Sequence, residues 1–237
     1  RAGSGNIVHN SGTVTWDTGG TSTMYALSTF NNITTTTSGT TLRWFSALTL
    51  AGTLTVAANT TVHEHSSAGG AFTVNGDVSV SGTLGDSDAY SAYSFGSLTI
   101  ASGGTYNATS GTTTITSETS GGYAIDHDGT FTHNNGTVLI TTPATTLLDL
   151  LATGNLYNLT INHASCVARI VSHSTIDNDV TVTAGTLNTA YDVNVTVTGD
   201  VSVSGTFGLA EESGAHSFGS LTIASGGTHI ATSGTTT

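Results

Sequence analysis

Residues 94–105 read SFGSLTIASGGT, and the same stretch recurs unchanged at residues 217–228. The likeness extends outward, because residues 76–114 and 199–237 align without a gap and 29 of the 39 pairs are identical. Self-similarity at a fixed offset, here 123 residues, is typical of repeat architectures. We therefore expect a continuous rod of two large repeats, with residues 1–113 as a first module and residues 114–237 as a second.

A shorter period lies beneath the large repeat, with most units 20 or 21 residues long. Each unit has one apolar anchor, usually with Gly or Asn two residues before it and Val or Ile two residues after it. The anchors are Val14, Ile33, Leu54, Val78, Leu98, Val138, Leu159, Val180, Val201 and Leu221, and Thr113 fills the vacant place after Leu98. We expect the Gly and Asn column to supply positive φ for a turn before each strand.

The apolar residues recur at period 2 rather than 3.6, and Lys and Gln, which favour surface helices, are absent. The sequence therefore predicts an all-β fold, a right-handed parallel β-helix (β-solenoid) of about eleven coils of about 21 residues each. Strands of adjacent coils lie about 4.8 Å apart, so the rod should be roughly 50 Å long. We expect buried columns that contain Val78, Val80, Leu98, Ile100, Val201, Val203, Leu221 and Ile223.

Composition excludes several classes of partner. The chain has 15 acidic residues and only three Arg, for a net charge of −12 at pH 7. Nucleic acids, anionic membrane surfaces and acidic polysaccharides would be repelled. No apolar run reaches the roughly 18 residues that a membrane span needs, so membrane insertion is not expected. Cys166 is the single cysteine, which we expect to be a small buried residue, and stability must then come from coil stacking.

The residues that flank each anchor should point outward, and most of them carry hydroxyl groups. The predicted assembly face comprises Thr13, Thr15, Thr53, Thr55, Thr99, Thr114, Thr160, Thr181 and Thr222. The second large repeat stops in mid-strand at Thr237, so we expect a fragment of a longer array, or a chain whose ends are covered by its neighbours. An open solenoid end exposes unpaired backbone groups that can pair with another chain. The main expected partner is therefore another copy, or a neighbour in the array.

Two clusters are candidate metal sites. His63 and His65 share one face of a predicted strand and could bind a metal, although a solvated loop with two histidines explains them as well. Asp126 and Asp128 resemble the spaced acids of calcium loops, without the rest of that pattern. Structural turns are the alternative for this pair. A Ca²⁺ site is therefore a hypothesis, and the sequence predicts no other cofactor.

Residues 84–93 and their counterparts 207–216 differ most between the two copies. Function often resides on loops that vary over a constant framework, so Asp86, Asp88, Tyr90 and Tyr93 are candidate ligand-binding residues. The tyrosines could stack on a sugar ring, whereas neutral drift of an exposed loop is the alternative. We predict no catalytic residues, because the outward Asp179 and Asp200 form a shallow ladder rather than a cleft with paired carboxyls.

The coils FNNIT (residues 30–34), LYNLTI (residues 156–161) and GDVSVSGT (residues 199–206) resemble those of repetitive secreted microbial proteins. These are large β-helical adhesins and surface-fibre proteins, with relatives among phage tail fibres. The resemblance implies a structural component of an extracellular filament, sheath or adhesin stalk, outside the cell or on its surface. The alternative is a glycan-binding tail fibre or cell-surface adhesin, and a polysaccharide-active enzyme on the same scaffold is a third reading.

Overall fold

The computed structural model describes residues 10–25, 29–65, 70–87, 89, 91–150 and 154–237. No helix occurs in these ranges, and the pairings between their strands are parallel. The chain is a parallel β-solenoid of about 10 turns with a spacing near 21 residues. The period of the apolar anchors thus predicted the fold class correctly.

The described residues form 24 strands. In chain order they are β1 (Thr13–Trp16), β2 (Thr21–Met24), β3 (Thr29–Phe30), β4 (Asn32–Thr35), β5 (Thr41–Trp44), β6 (Leu48–Leu50), β7 (Leu54–Val56), β8 (Thr61–Glu64), β9 (Phe72–Val80), β10 (Thr83–Leu84), β11 (Tyr93–Ile100) and β12 (Thr105–Asn107). They continue with β13 (Thr112–Ile115), β14 (Tyr123–His127), β15 (Thr130–Thr132), β16 (Thr137–Ile140), β17 (Thr145–Asp149), β18 (Asn158–Ile170), β19 (Ser174–Ile176), β20 (Val180–Thr189), β21 (Val195–Val203), β22 (Thr206–Phe207), β23 (His216–Ile223) and β24 (Thr228–His229).

Most of the described coils consist of three strand segments, one on each of three faces. One complete coil is β6 on the first face, β7 on the second and β8 on the third. In the next coil β9 covers the first and second faces, since its two ends pair with β6 and β7, and β10 continues the third face from β8. Side chains alternate along most of each segment, with register shifts where a strand passes from one face to the next, so inward residues stack on those of neighbouring coils.

Stacked apolar residues fill the interior along the rod. Six of the eight predicted core residues are buried, namely Val78, Val80, Leu98, Ile100, Val201 and Val203. The prediction was wrong for Leu221 and Ile223, which are 36% and 47% exposed. Leu98 lies between Val78 of one coil and Ile125 of the next, whereas Leu221 pairs with Val201 on one side only. Among the described residues, no later coil covers the last first-face segment.

The predicted number of about eleven coils is close to the number found, but the anchors do not form one column. Leu98 stacks on Ile125 of the second face, whereas Thr113 stacks on Tyr93 of the first face. The anchor pattern therefore changes face between Leu98 and Thr113, and their spacing of 15 residues is less than one coil.

The glycines before the anchors have a different role from the one expected. Positive φ occurs at other glycines, such as Gly85 and Gly103, and at none of the anchor column. A Cβ added at Gly96 would instead lie 2.6 Å from the carbonyl oxygen of Gly76, which is itself the column glycine of the preceding coil. Glycine is needed at this corner because the backbones of successive coils approach too closely for a side chain.

The two large repeats have the same strands, but they occupy different faces. β21, β22 and β23 reproduce β9, β10 and β11 with bounds shifted by 123 residues. Val78 stacks on Leu98 of the second face. Its equivalent, Val201, belongs to the first-face column that leads back to Phe72. That column runs through Val180, Leu159, Val138, Thr113 and Tyr93.

Six coils therefore separate Phe72 from Val201 along the first face. The sequence repeat runs only from Val78 to Val201, so it is shorter than six coils by the segment from Phe72 to Val78. The second copy is consequently turned by one face about the rod axis. Equivalent loops of the two copies lie at different corners. The division into modules at residues 113 and 114 stays a prediction.

Candidate functional site

The predicted assembly face is split between two faces of the solenoid. Thr15, Thr55 and Thr99 lie on the second face, in a column that next reaches Asp126 and Asp149. The first-face column is longer and consists of Thr29, Thr49, Thr73, Ser94, Thr114, Leu139, Thr160, Thr181, Ser202 and Thr222. The predicted assembly face did not include Thr29, Thr49 and Thr73, because the anchors before Thr113 lie on the second face and gave no indication of the first-face register.

Two of the predicted assembly residues contribute to contacts between coils. Thr13 Oγ1 accepts a hydrogen bond from Asn32 Nδ2 (3.2 Å), and Asn32 Oδ1 accepts one from the backbone N–H of Thr53 (2.8 Å). In the second copy, Asp179 Oδ1 accepts the N–H of Asp200 (2.9 Å), and Asp200 Oδ1 accepts the hydroxyl of Ser220 (2.7 Å). These polar side chains therefore join neighbouring coils.

A second hydroxyl column, which sequence reasoning did not find, lies on the third face. Its members occupy the first outward position of each third-face strand in six consecutive coils: Thr21, Thr41, Thr61, Thr83, Thr105 and Thr130. The signal available in the sequence was a Thr at the first position of the last strand of each coil. This column and the first-face column carry almost no charge.

The candidate metal residues form no metal centre within the described ranges. His63 Nδ1 lies 3.3 Å from Asp86 Oδ2, and the ring of His65 packs 5.1 Å from that of Phe45. Asp126 stands beside Asp149 of the next coil. Burial raises the pKa of Asp126, and the charges of Asp128 and Asp149 raise it further. No group of three or more His, Cys, Asp or Glu is placed to hold a metal ion there. The Ca²⁺ site stays a prediction.

The predicted ligand loop is only partly available to a ligand. Tyr93 is 1% exposed and packs against Trp44 (ring centroids 5.9 Å apart) and Phe72 (5.7 Å). It therefore belongs to the aromatic interior and cannot stack on an external sugar. Asp86 is half-buried beside His63. Asp88 and Tyr90 lie outside the described residues. The alternation of Tyr93 with Phe95 was the sequence signal that Tyr93 faces the core.

Cys166 is buried, as expected for a structural cysteine. Burial raises the pKa of its thiol to about 11, and the charge of Glu118 acts in the same direction. The thiolate that a nucleophilic role requires is therefore disfavoured.

The second copy has ionisable groups where the first has neutral side chains. Glu212, His216 and His229 replace Ala89, Tyr93 and Tyr106, and of these Glu212 and His216 are buried and His229 is half-buried. Both imidazoles stack on Phe207, with ring centroids 5.7 Å away for His216 and 5.4 Å for His229. Glu212 Oε1 accepts the N–H of Thr189 (2.5 Å), and His216 Nε2 lies 3.4 Å from Thr189 Oγ1. Glu212 Oε2, His216 Nδ1 and His229 Nε2 have no hydrogen-bond partner among the described residues.

Acidification is expected to destabilise the last coils through His216. Burial lowers the pKa of His216 below the ordinary 6.5, and the charge of His229 lowers it further. The unfolded chain therefore takes up this proton first, and the stabilising contribution is lost as pH falls through the lowered folded pKa. Glu212 has the opposite pH dependence: burial raises its pKa, so its contribution to stability is lost as pH rises.

Replacing Glu212 with Ala removes this opposing effect and isolates that of His216. In the Glu212→Ala variant, urea unfolding should show the free energy of unfolding falling from about pH 7 to about pH 5.

The matched control is Glu212→Ala combined with His216→Tyr, which restores the first-copy residue at both positions. Its stability should change less over the same range, because the titrating imidazole is gone. Each unit by which the folded pKa lies below the unfolded one corresponds to about 1.4 kcal/mol. An equal loss in both variants would show that other groups cause the acid sensitivity.

Fold and surface together define a parallel β-solenoid whose polar side chains form columns along the rod. No family model, no curated protein and no solved structure matches this chain. Within the described residues, no helix is long and apolar enough to cross a membrane.

Proposed function

We propose that this chain is a structural segment of an extracellular filament, sheath or adhesin stalk, and that it assembles by stacking coil on coil. The observation that carries the proposal is the regular parallel stacking of about 10 coils, in which inward apolar residues such as Leu98 lie between their counterparts of the neighbouring coils. Leu221 and Ile223 are exposed members of such columns, and β23 pairs with β21 on one side. An apolar strand with a free edge favours the addition of another strand.

The first copy indicates what fits this edge. Leu98 and Ile100, the equivalents of Leu221 and Ile223, are fully buried by β14 of the next coil. The matching partner for the open segment is therefore another parallel coil. A structural role is also supported by Asp179 and Asp200, since these carboxylates are engaged in contacts between coils.

Electron microscopy of the concentrated chain should show long thin fibres, with an axial repeat of about 29 Å if six coils form the repeating unit. Leu221→Asp should prevent fibre growth while the chain still folds, because a charge would be buried at the junction. Tyr191→Asp is the matched control, since Tyr191 is 74% exposed and lies in a turn outside β23 and its partner β21. Its fibres should remain.

Light scattering can contradict the proposal. If the unaltered chain stays monodisperse and monomeric at high concentration, the assembly proposal is wrong. Fibres that persist in Leu221→Asp would mean that chains associate through another surface.

A further inference from the structure

A polar groove runs along the third face in the second half of the chain. It consists of two adjoining cavities, of about 450 Å³ and about 260 Å³, that share Asn155 in their walls. His133 and Asp177 line the larger cavity, and His173 and Asn194 line the smaller one. The larger volume lies within the usual range for small-molecule sites.

The groove crosses four successive coils. Leu156 pairs with Ile176, and Thr175 pairs with Thr196, so the residues around 155, 175 and 195 stack in adjacent coils. The carbonyl oxygen of Phe131 in the preceding coil lies against Gly154. At about 4.8 Å per coil, the groove extends roughly 14 Å between its outer coils and runs parallel to the rod axis. An extended ligand lying in it would meet one coil after another.

The polar groups of the larger cavity are held in place by one another. Asn155 Nδ2 donates to Asp177 Oδ1 (2.7 Å), and His133 Nε2 lies 3.3 Å from Asp177 Oδ2. His133 Nδ1 accepts the backbone N–H of Asn135 (2.9 Å), which assigns the proton of the neutral ring to Nε2. The imidazole stacks on Tyr157, with ring centroids 5.2 Å apart. No donor among the described residues bonds to the side-chain oxygen of Asn155, which is therefore an acceptor for a ligand.

The smaller cavity offers donors. His173 Nδ1 accepts the backbone N–H of Asn194 (3.0 Å), so the neutral ring carries its proton on Nε2. Asn194 Oδ1 accepts the N–H of Ala215 (2.7 Å), which leaves its NH₂ group as the donor. The groove thus offers an acceptor at Asn155 and donors at His173 and Asn194. A hydroxyl group both donates and accepts, and it suits such a series.

The charges of the groove and of the whole chain limit the class of ligand that can bind. Among the described residues that line the two cavities, Asp177 is the only carboxylate and none is Arg. With a net charge of −12 on the chain, phosphate, sulfate and uronate groups would be repelled. An apolar ligand would leave the amides and imidazoles without hydrogen-bond partners. We propose that this groove binds an uncharged linear oligosaccharide, which lies along the rod axis with its hydroxyl groups on Asn155, His173 and Asn194.

Isothermal titration calorimetry with neutral hexasaccharides of glucose, xylose and mannose tests the proposal, with a galacturonic acid hexasaccharide as the acidic probe. At least one neutral probe should bind, and the acidic one should not. Replacing both Asn155 and Asn194 with Ala should weaken binding on the order of tenfold, because two hydrogen bonds are lost. Asn162→Ala is the matched control, since Asn162 is exposed and outside the groove.

A second measurement on the unaltered protein covers the case in which the double variant does not fold. Hydroxyl-radical footprinting should show that the bound neutral probe protects residues 154–157 and 173–175. The proposal is overturned if no neutral probe binds, if the acidic probe binds as tightly, or if the protection lies elsewhere. The Leu221→Asp protein should bind the same probe unchanged, so failure of fibre assembly and failure of sugar binding are distinguishable.

Discussion

Leu98→Asp is expected to abolish folding, whereas the same change at Leu221 is expected to leave the folded state intact. The two leucines are equivalent positions of the large repeat, and their neighbours in sequence are identical. Leu98 is 1% exposed between two coils, but Leu221 is 36% exposed. A carboxylate without a partner at Leu98 should cost several kcal/mol, a large part of the roughly 5–15 kcal/mol that stabilises a typical domain.

Circular dichroism and the yield of soluble protein measure the difference. Leu98→Asp should lose its β-sheet spectrum, and Leu221→Asp should keep it with a loss of about 1 kcal/mol or less. If both variants fold, the assignment of Leu98 to a stacked core is wrong. If Leu221→Asp is as damaging as Leu98→Asp, another coil covers Leu221 in solution.

Gly136→Ala should destabilise the solenoid by about 3 kcal/mol or more, at the upper end of the usual cost of overpacking. A Cβ on Gly136 would lie only 2.0 Å from the carbonyl oxygen of Thr109 and 2.8 Å from that of Gly111. Both obstacles are backbone atoms of the preceding coil, so a side-chain rotation cannot relieve the clash. The coils would have to separate, and the ladder of hydrogen bonds between them would be broken.

Gly20→Ala is the control, because a Cβ there would meet nothing within 4 Å. Neither Gly20 nor Gly136 has positive φ, so the two substitutions differ mainly in the space available. Thermal unfolding should show a much lower midpoint for Gly136→Ala and little change for Gly20→Ala. Equal midpoints would mean that the coils are farther apart at this corner than the structure has them.

The sequence predicted the solenoid and most of its core because strand alternation and coil period are both local patterns. Val78, Leu98 and Val201 could be assigned to the interior from their own neighbours. The register could not be assigned in this way, since the first and second faces use the same motif of glycine, anchor and β-branched residue. Leu98 and Thr113 therefore resembled successive units although they lie on different faces.

The groove escaped sequence reasoning for a related reason. Asn155, His173 and Asn194 come from different coils and share no motif, and only the correct stacking brings them together. The column of Thr on the third face was also invisible from the anchors, because its strands contain none of the residues used to define the period. Contacts between side chains of different coils can be predicted only when the register of the coils is known.

The second copy is rotated by one face about the rod axis, and this rotation determines where the chain presents its two variable loops. Residues 84–93 join the third face to the first, whereas residues 207–216 join the second face to the third. A flat partner surface pressed against one of these corners therefore cannot reach the other at the same time. Bivalent attachment to such a surface gains no avidity, because simultaneous engagement is geometrically forbidden. A partner that winds around the rod could occupy both.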